Sequence, residues 1–253
     1  MTSGIIVSFL IFVILGLLTY FASLYTVKSN SSDLLIGIYI LFLTLAQFFA
    51  AKIAIFDFII FTVDFVPVGV IVFPFTLQLT DMVNERFGRK EVYKMIQIAF
   101  VSQILLVALL LTANIPIVAF GDDPLLSFAI VPSITIASWI SFLISENFDA
   151  WIYDMFKQYL KEKFGDQWWK GLWIRNVVSD ILSLGLDTII FIPMAFFILP
   201  NLLSIFDPTI LNSVWSFDLI LAGIFGQLTM KWLLGVIDTP FMYLTRYIYE
   251  KSD

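Results

Sequence analysis

The stretch RFGRKEVYK, residues 86–94, is rich in Lys and Arg and separates two long apolar runs. These runs, at about 62 to 85 and 93 to 115, are each close to the ~20 residues that a helix needs to cross the hydrocarbon of a bilayer. A basic segment between two such runs is typical of a loop on the cytoplasmic side of a membrane. The stretch therefore predicts two membrane-spanning helices that are joined in the cytoplasm.

The same alternation continues along the whole chain. The connections at 57–64, 114–124 and 200–218 contain no Lys or Arg, whereas the connections between them are basic. By the positive-inside rule, the amino terminus lies outside and the carboxyl terminus is cytoplasmic. We therefore expect a multi-pass protein of the cell membrane with seven helices, at about 4 to 26, 34 to 56, 62 to 85, 93 to 115, 127 to 153, 173 to 198 and 217 to 245.

Composition supports this class and excludes several others. With 60% hydrophobic and 13% charged residues, the chain has too few polar side chains to cover the surface of a soluble domain, so lipid must be its solvent. The net charge of −6 and the confinement of basic residues to the cytoplasmic loops disfavour a nucleic-acid partner. The absence of Cys and His removes disulfides, thiolate chemistry and the usual zinc and haem ligands, so we expect neither a metal nor a cofactor.

Ionisable residues inside the predicted helices are the candidate functional residues. Exposing even half of them to lipid would cost on the order of 10 kcal/mol, so they must face protein or a water-filled cavity. Asn176, Asp180 and Asp187 are four and seven residues apart and share one helical face. The candidate substrate-binding residues are Asp81, Asn84, Glu146, Asp149, Asn176, Asp180, Asp187 and Lys231.

Some of these residues also have a purely structural interpretation. Asp81, Asn84 and Glu85 run into the basic stretch, so they can cap a helix end and pair with Arg. Asp149 and Asp238 are shallow enough to form hydrogen bonds at the membrane interface. Lys231 is more suited to neutralise a carboxylate than to contact a ligand.

Three blocks of sequence together resemble one known family. The first is FPFTLQLTDMVNERFG, residues 73–88; the second runs from Ile136-Ala137-Ser138 to residues 187–191, DTIIF; the third extends from 218 to 240 around Lys231. In combination they resemble the queuosine precursor transporter family, also described as vitamin-uptake-like transporters. The resemblance covers about residues 34 to 249.

This resemblance implies both a fold and a function. The fold is an all-α polytopic membrane protein, with a six-helix core at 34–253 similar to the substrate-binding subunits of energy-coupling-factor vitamin transporters. Residues 1–33 form an extra amino-terminal helix and link. The implied function is import of a 7-deazaguanine base such as preQ0 or preQ1, without enzymatic activity. An acid-lined interior suits such a base, because one carboxylate can accept its ring N–H and its exocyclic amine together.

Two other classes remain as alternatives. A lysine in the last of seven helices invites comparison with retinal-binding photoreceptors, although Gln227 replaces the acid expected four residues earlier. Paired carboxylates can also perform acid–base chemistry in an integral-membrane enzyme. A homo-oligomer and a separate energising partner stay open.

The charge pattern predicts the topology directly. Single cysteine substitutions need no prior mutagenesis in this cysteine-free chain. A cysteine at Asp123 should react with an impermeant label from outside, and one at Lys161 should react only from the cytoplasmic side. The reverse labelling would contradict the predicted orientation.

Overall fold

The computed structural model describes residues 2–113, 130–165, 172–205, 211 and 214–251. The helices in these ranges are α1 (Ser3–Ser29), α2 (Asp33–Ala50), α3 (Phe73–Phe87), α4 (Arg89–Ala113), α5 (Val131–Phe164), α6 (Leu172–Pro193), α7 (Leu199–Leu203) and α8 (Phe217–Glu250). A hairpin of β1 (Ile53–Asp57) and β2 (Thr62–Pro67) follows α2. The 3-10 helix Val68–Val72 joins β2 to α3, and the π-helical turn Met194–Ile198 joins α6 to α7.

The protein is an all-α polytopic membrane protein, which confirms the predicted fold class. Within the described ranges, five helical segments are long and apolar enough to cross a bilayer: α1, α2, α4, α8 and the run Ile181–Leu203 in α6 and α7. α5 has 34 residues, which is also long enough to cross, but its carboxyl-terminal part is charged.

The prediction of continuous helices over 34–56 and 62–85 is wrong in part. α2 ends at Ala50, and residues 53–67 form the hairpin instead. α3 has only 15 residues, about 22 Å, which is shorter than the hydrocarbon core. An apolar run rich in Ile, Val and Phe does not distinguish a buried strand from a helix by periodicity, and Pro67 supplies no N–H to continue either element.

The hairpin contains a β-bulge. Ala54 pairs with Val66 and Phe56 pairs with Val63, so Asp64 and Phe65 together face one residue of β1. Phe65 has a φ of 55°, in the left-handed region that a bulky residue rarely adopts. The bulge bends β2 where the chain turns toward the 3-10 helix.

Neighbouring helices cover one face of the hairpin. The buried side chains of that face belong to one hydrophobic cluster with α1, α3 and α8, whose buried members are Ile11, Leu15, Phe56, Val63, Val66, Val70, Phe75, Met230, Leu234 and Phe241. The other face is exposed, with Ile55, Ile59 and Ile60 among its side chains. α1 therefore packs against the buried face of the hairpin.

Two glycines allow close backbone contacts around this segment. A Cβ at Gly226 on α8 would lie 2.4 Å from the carbonyl oxygen of Asp64, and a Cβ at Gly69 would lie 2.4 Å from the carbonyl oxygen of Ala46 on α2. Real Cβ atoms do not approach an oxygen so closely. The hairpin and the 3-10 helix are thus seated against α8 and α2 only because these positions lack a side chain.

We expect Gly226→Ala to push β2 away from α8 and to lower the free energy of unfolding by about 1 to 3 kcal/mol. Thermal unfolding in detergent measures this loss. Gly37→Ala on α2 is the matched control, because nothing lies within 4 Å of a Cβ at that position. Equal stability of the two variants would contradict the close contact between β2 and α8.

Candidate functional site

A cavity lies where α2, the 3-10 helix, α3, α5, α6 and α8 converge. The space between its lining atoms, including the open mouth, is about 550 Å³. Its polar lining residues are Gln47, Thr76, Ser138, Asp187 and Gln227. Its aromatic lining residues are Phe73, Phe142 and Phe191.

An ion pair forms the charged pole of this site. Lys231 Nζ donates to Asp187 Oδ2, and both side chains are buried, with relative exposures of 1% for Lys231 and 5% for Asp187. Lys231 Nζ also lies 3.9 Å from the centroid of the Phe73 ring, a cation–π contact. The lysine is therefore held between α6 and α3, and Asp187 is the charged group that lines the cavity.

Two amides flank the charged pole. Thr135 Oγ1 donates to Gln47 Oε1 at 3.1 Å, which fixes the Gln47 side chain between α2 and α5. Gln227 lies one turn before Lys231 on α8 and is 2% exposed. Its Oε1 has no hydrogen-bond partner within the described part of the chain. A buried acceptor without a partner costs about 1 to 3 kcal/mol, so Gln227 offers a ligand or a water molecule a favourable hydrogen bond.

The aromatic rings supply flat apolar surface beside these polar groups. Phe142 and Phe191 approach the cavity from α5 and α6, and Phe73 does so from the start of α3. Phe191 is supported edge-on by Phe196, with ring centroids 6.1 Å apart. The site thus combines one carboxylate, amides and several π faces, which is the composition that a flat heterocycle with polar edges requires.

Other predicted acids are buried but do not line the cavity. Glu146 and Asp149, on α5, are each 6% exposed. Both acids are therefore buried in the helical interior but are not among the residues that line the cavity.

Glu85 forms ion pairs with basic residues, as the structural interpretation of its motif predicts. Its carboxylate lies 3.2 Å from Arg246 on α8 and 3.9 Å from Lys157 on α5. Arg89 and Asp154 add a further link, at 3.4 Å, between α4 and α5. These pairs join the predicted cytoplasmic ends of four helices, and they do not contribute to the cavity.

The predicted site residues therefore separate into groups. Asp187 lines the cavity, and Lys231 pairs with it. Glu146, Asp149, Asp81 and Asn84 are buried elsewhere in the helical interior. The backbones of Asn176 and Asp180 belong to α6, but their side chains lie outside the described residues, as does that of Asp238.

Sequence reasoning missed the amides and the aromatic rings. Gln47 carried a signal, because it is an amide within an otherwise apolar helix, and Gln227 carried another, because it lies one turn from Lys231. Thr76 lies inside the motif at 73–88. Phe73 and Phe191 lie inside the motifs at 73–88 and 187–191, whereas Phe142 had no signal that separates it from the lipid-facing phenylalanines.

The cavity is mainly apolar with a few polar groups, and it lies among long apolar helices, which is a common setting for small-molecule sites. Residues 67–245 match the family described as "Putative vitamin uptake transporter". The chain belongs to this family of membrane transporters. No curated protein and no solved structure was found to match the chain.

The matched region begins at the last residue of β2, so α1 and α2 lie outside it. It contains Asp187, Lys231, Gln227 and all three cavity phenylalanines. Gln47 on α2 nevertheless lines the same cavity, so the site extends beyond the matched region.

We expect Lys231→Met to destabilise the protein by about 3 to 5 kcal/mol, because Asp187 would keep a buried charge without its partner. Thermal unfolding in detergent measures the effect. Adding Asp187→Asn should restore part of the stability, because the second substitution removes the uncompensated charge. A Lys231→Met protein that is fully stable yet fails to bind would make the lysine a ligand contact rather than a counter-charge.

Proposed function

We propose that this transporter imports a 7-deazaguanine base, a precursor of queuosine, through the cavity at Asp187. The observation that carries the proposal is a buried carboxylate beside aromatic rings, in a chain whose motifs resemble the queuosine precursor transporters. The proposal specifies one class of substrate for a chain that belongs to the vitamin uptake transporter family.

The chemistry of the base fits the charged pole. A deazaguanine presents a ring N–H next to an exocyclic amine, and one ionised carboxylate can accept both hydrogen bonds. Asp187 has acceptor positions on both oxygens, so it can accept from the base while Oδ2 keeps its bond to Lys231.

The amides and rings complete the recognition. Gln227 can accept from a further N–H of the base through its unpartnered oxygen. The faces of Phe142 and Phe191 can stack on the flat ring, and stacking on an aromatic side chain contributes about 1 to 3 kcal/mol per base. The same interactions would reject a ligand that lacks the paired donors, because Asp187 would then stay without its second partner.

Alternating access requires the elements around the binding site of a transporter to move relative to one another. Binding and release of the base at Asp187 then involve a rearrangement of the side chains that line the cavity.

Uptake of labelled base tests the proposal. Cells that lack their own route for deazaguanines should accumulate the base when they express this protein, and comparison with and without a proton gradient identifies the energy source. Absence of uptake for both the cyano and the aminomethyl base, with the protein present in the membrane, would contradict the proposed substrate.

The role of Asp187 needs a variant that leaves no unpaired charge. We expect the double variant Asp187→Asn/Lys231→Met to remain folded and to bind the base about 10- to 100-fold more weakly than the wild type, the factor for one charge-assisted hydrogen bond. Lys231→Met alone is the matched control, since it keeps the carboxylate. Its affinity per folded molecule should stay within about threefold of the wild type. Equal binding by the double variant and the control would place the base elsewhere.

A further inference from the structure

A second, smaller cavity adjoins the site at Asp187. Its volume between lining atoms, including its mouth, is about 280 Å³. Leu43, Gln47, Ser138 and Phe142 line both cavities, so the two spaces adjoin at these side chains. The lining residues found only in the second cavity come from α4 and α5, and they include Gln103 and Trp139. We call this space the Gln103 chamber.

The chamber contains a buried acceptor that lacks a partner. Gln103 is 2% exposed, and its Oε1 forms no hydrogen bond with any described residue. Its Nε2 donates to Thr44 Oγ1 at 3.2 Å, while the Thr44 hydroxyl donates to the carbonyl oxygen of Ile40 at 2.9 Å. Because the single hydroxyl hydrogen of Thr44 is already used, its oxygen can only accept from Gln103. This fixes the amide orientation and leaves Oε1 as the open acceptor.

The chamber also contains a buried donor without a partner. Trp139 Nε1 is inaccessible to solvent and makes no hydrogen bond within the described ranges. The Trp139 ring is held edge-on against Phe100, with ring centroids 5.3 Å apart. Buried polar atoms are almost always paired in proteins. An open acceptor and an open donor lining one chamber therefore indicate a bound polar group.

We propose that the Gln103 chamber is the subsite for the polar substituent at position 7 of the deazaguanine ring and that it selects an aminomethyl group over a cyano group. This inference rests on the proposed function. A neutral amine can donate to Gln103 Oε1 and accept from Trp139 Nε1, whereas a nitrile can accept from Trp139 but has no hydrogen to donate. With a nitrile bound, Gln103 Oε1 stays buried and unpaired, which weakens binding relative to the amine.

The geometry places the subsite on the far side of the ring from the charged pole. Asp187 approaches from α6, and Gln103 approaches from α4, with Phe142 and Gln47 between them. A bicyclic base that stacks on Phe142 can present its amide edge to Asp187 and its substituent to Gln103. The ring then occupies the first cavity and the substituent occupies the second.

Binding to purified wild-type protein in detergent tests the proposal with three probes: 7-aminomethyl-7-deazaguanine, 7-cyano-7-deazaguanine and unsubstituted 7-deazaguanine. We expect the aminomethyl base to bind about tenfold more tightly than the cyano base, the factor for one hydrogen bond to a buried acceptor. Equal affinities of these two bases would overturn the proposal, and this comparison requires no variant to fold.

Gln103→Met removes the acceptor and keeps the length of the side chain. The aminomethyl base should then bind about tenfold more weakly, while the affinity of unsubstituted deazaguanine should change by less than about threefold. Gln78→Met is the matched control. Gln78 is also buried, and its Nε2 also donates to a threonine hydroxyl, Thr245 Oγ1, at 3.3 Å. Unlike Gln103, it lines neither cavity.

The outcomes separate the subsite from the substrate class. If Gln103→Met weakens all three bases equally, or leaves the aminomethyl base unchanged, the chamber holds only a structural water and the subsite is refuted. If the wild type binds none of the three bases, the proposed substrate itself is wrong, and the subsite is refuted with it.

Discussion

The buried ion pair between Asp187 and Lys231 is the interaction on which the site depends. Each charge alone would cost several kcal/mol in an environment without water, and together they can be retained only with close contact and further support. Lys231 receives that support from Asp187 and from the face of Phe73. The pair therefore connects α8 to α6 and α3 and sets where the cavity can be polar. The carboxylate that stability requires is also the one that faces the ligand space, so stability and binding have to be measured together at this position.

The hairpin at 53–67 depends on a different constraint of the bilayer. Lipid cannot satisfy open backbone groups, and β1 and β2 pair their backbones with each other while one face of the hairpin packs on helices. Gly226 lets β2 lie directly against α8, and buried residues of α1 such as Ile11 and Leu15 close one side. The following 3-10 helix brings Gly69 and Val70 to the cavity wall. α1, which lies outside the matched residues 67–245, thereby contributes to the environment of a segment that shapes the cavity.

The sequence was sufficient to predict the class of protein and the two buried charged residues that form the ion pair. The free-energy cost of burying a charge depends on the residue type and on its depth in the membrane. Both can be estimated from the position of the residue within an apolar run, so the sequence alone pointed to Asp187 and Lys231 as buried charged residues. The hairpin was not, since residues such as Ile53 and Val66 suit a strand and a helix equally and only tertiary contacts decide between them. The three-dimensional convergence of Phe73, Phe142 and Phe191 was likewise beyond reach, because most phenylalanines in such a chain face lipid. Gln47 and Gln227 were predictable in part. An amide side chain in an apolar helix indicates that the residue faces the protein interior, but it does not indicate which group the amide contacts.

The two cavities draw on different parts of the chain. The charged pole lies entirely within residues 67–245, whereas Leu43 and Gln47, which help to separate the cavities, belong to α2 outside that region. Thr44, which orients Gln103, also belongs to α2. Substitutions in α2 can therefore change the shape and polarity of the Gln103 chamber while the ion pair on α6 and α8 stays intact. The shape of the Gln103 chamber and the ion pair can therefore be altered separately, because they depend on side chains from different helices.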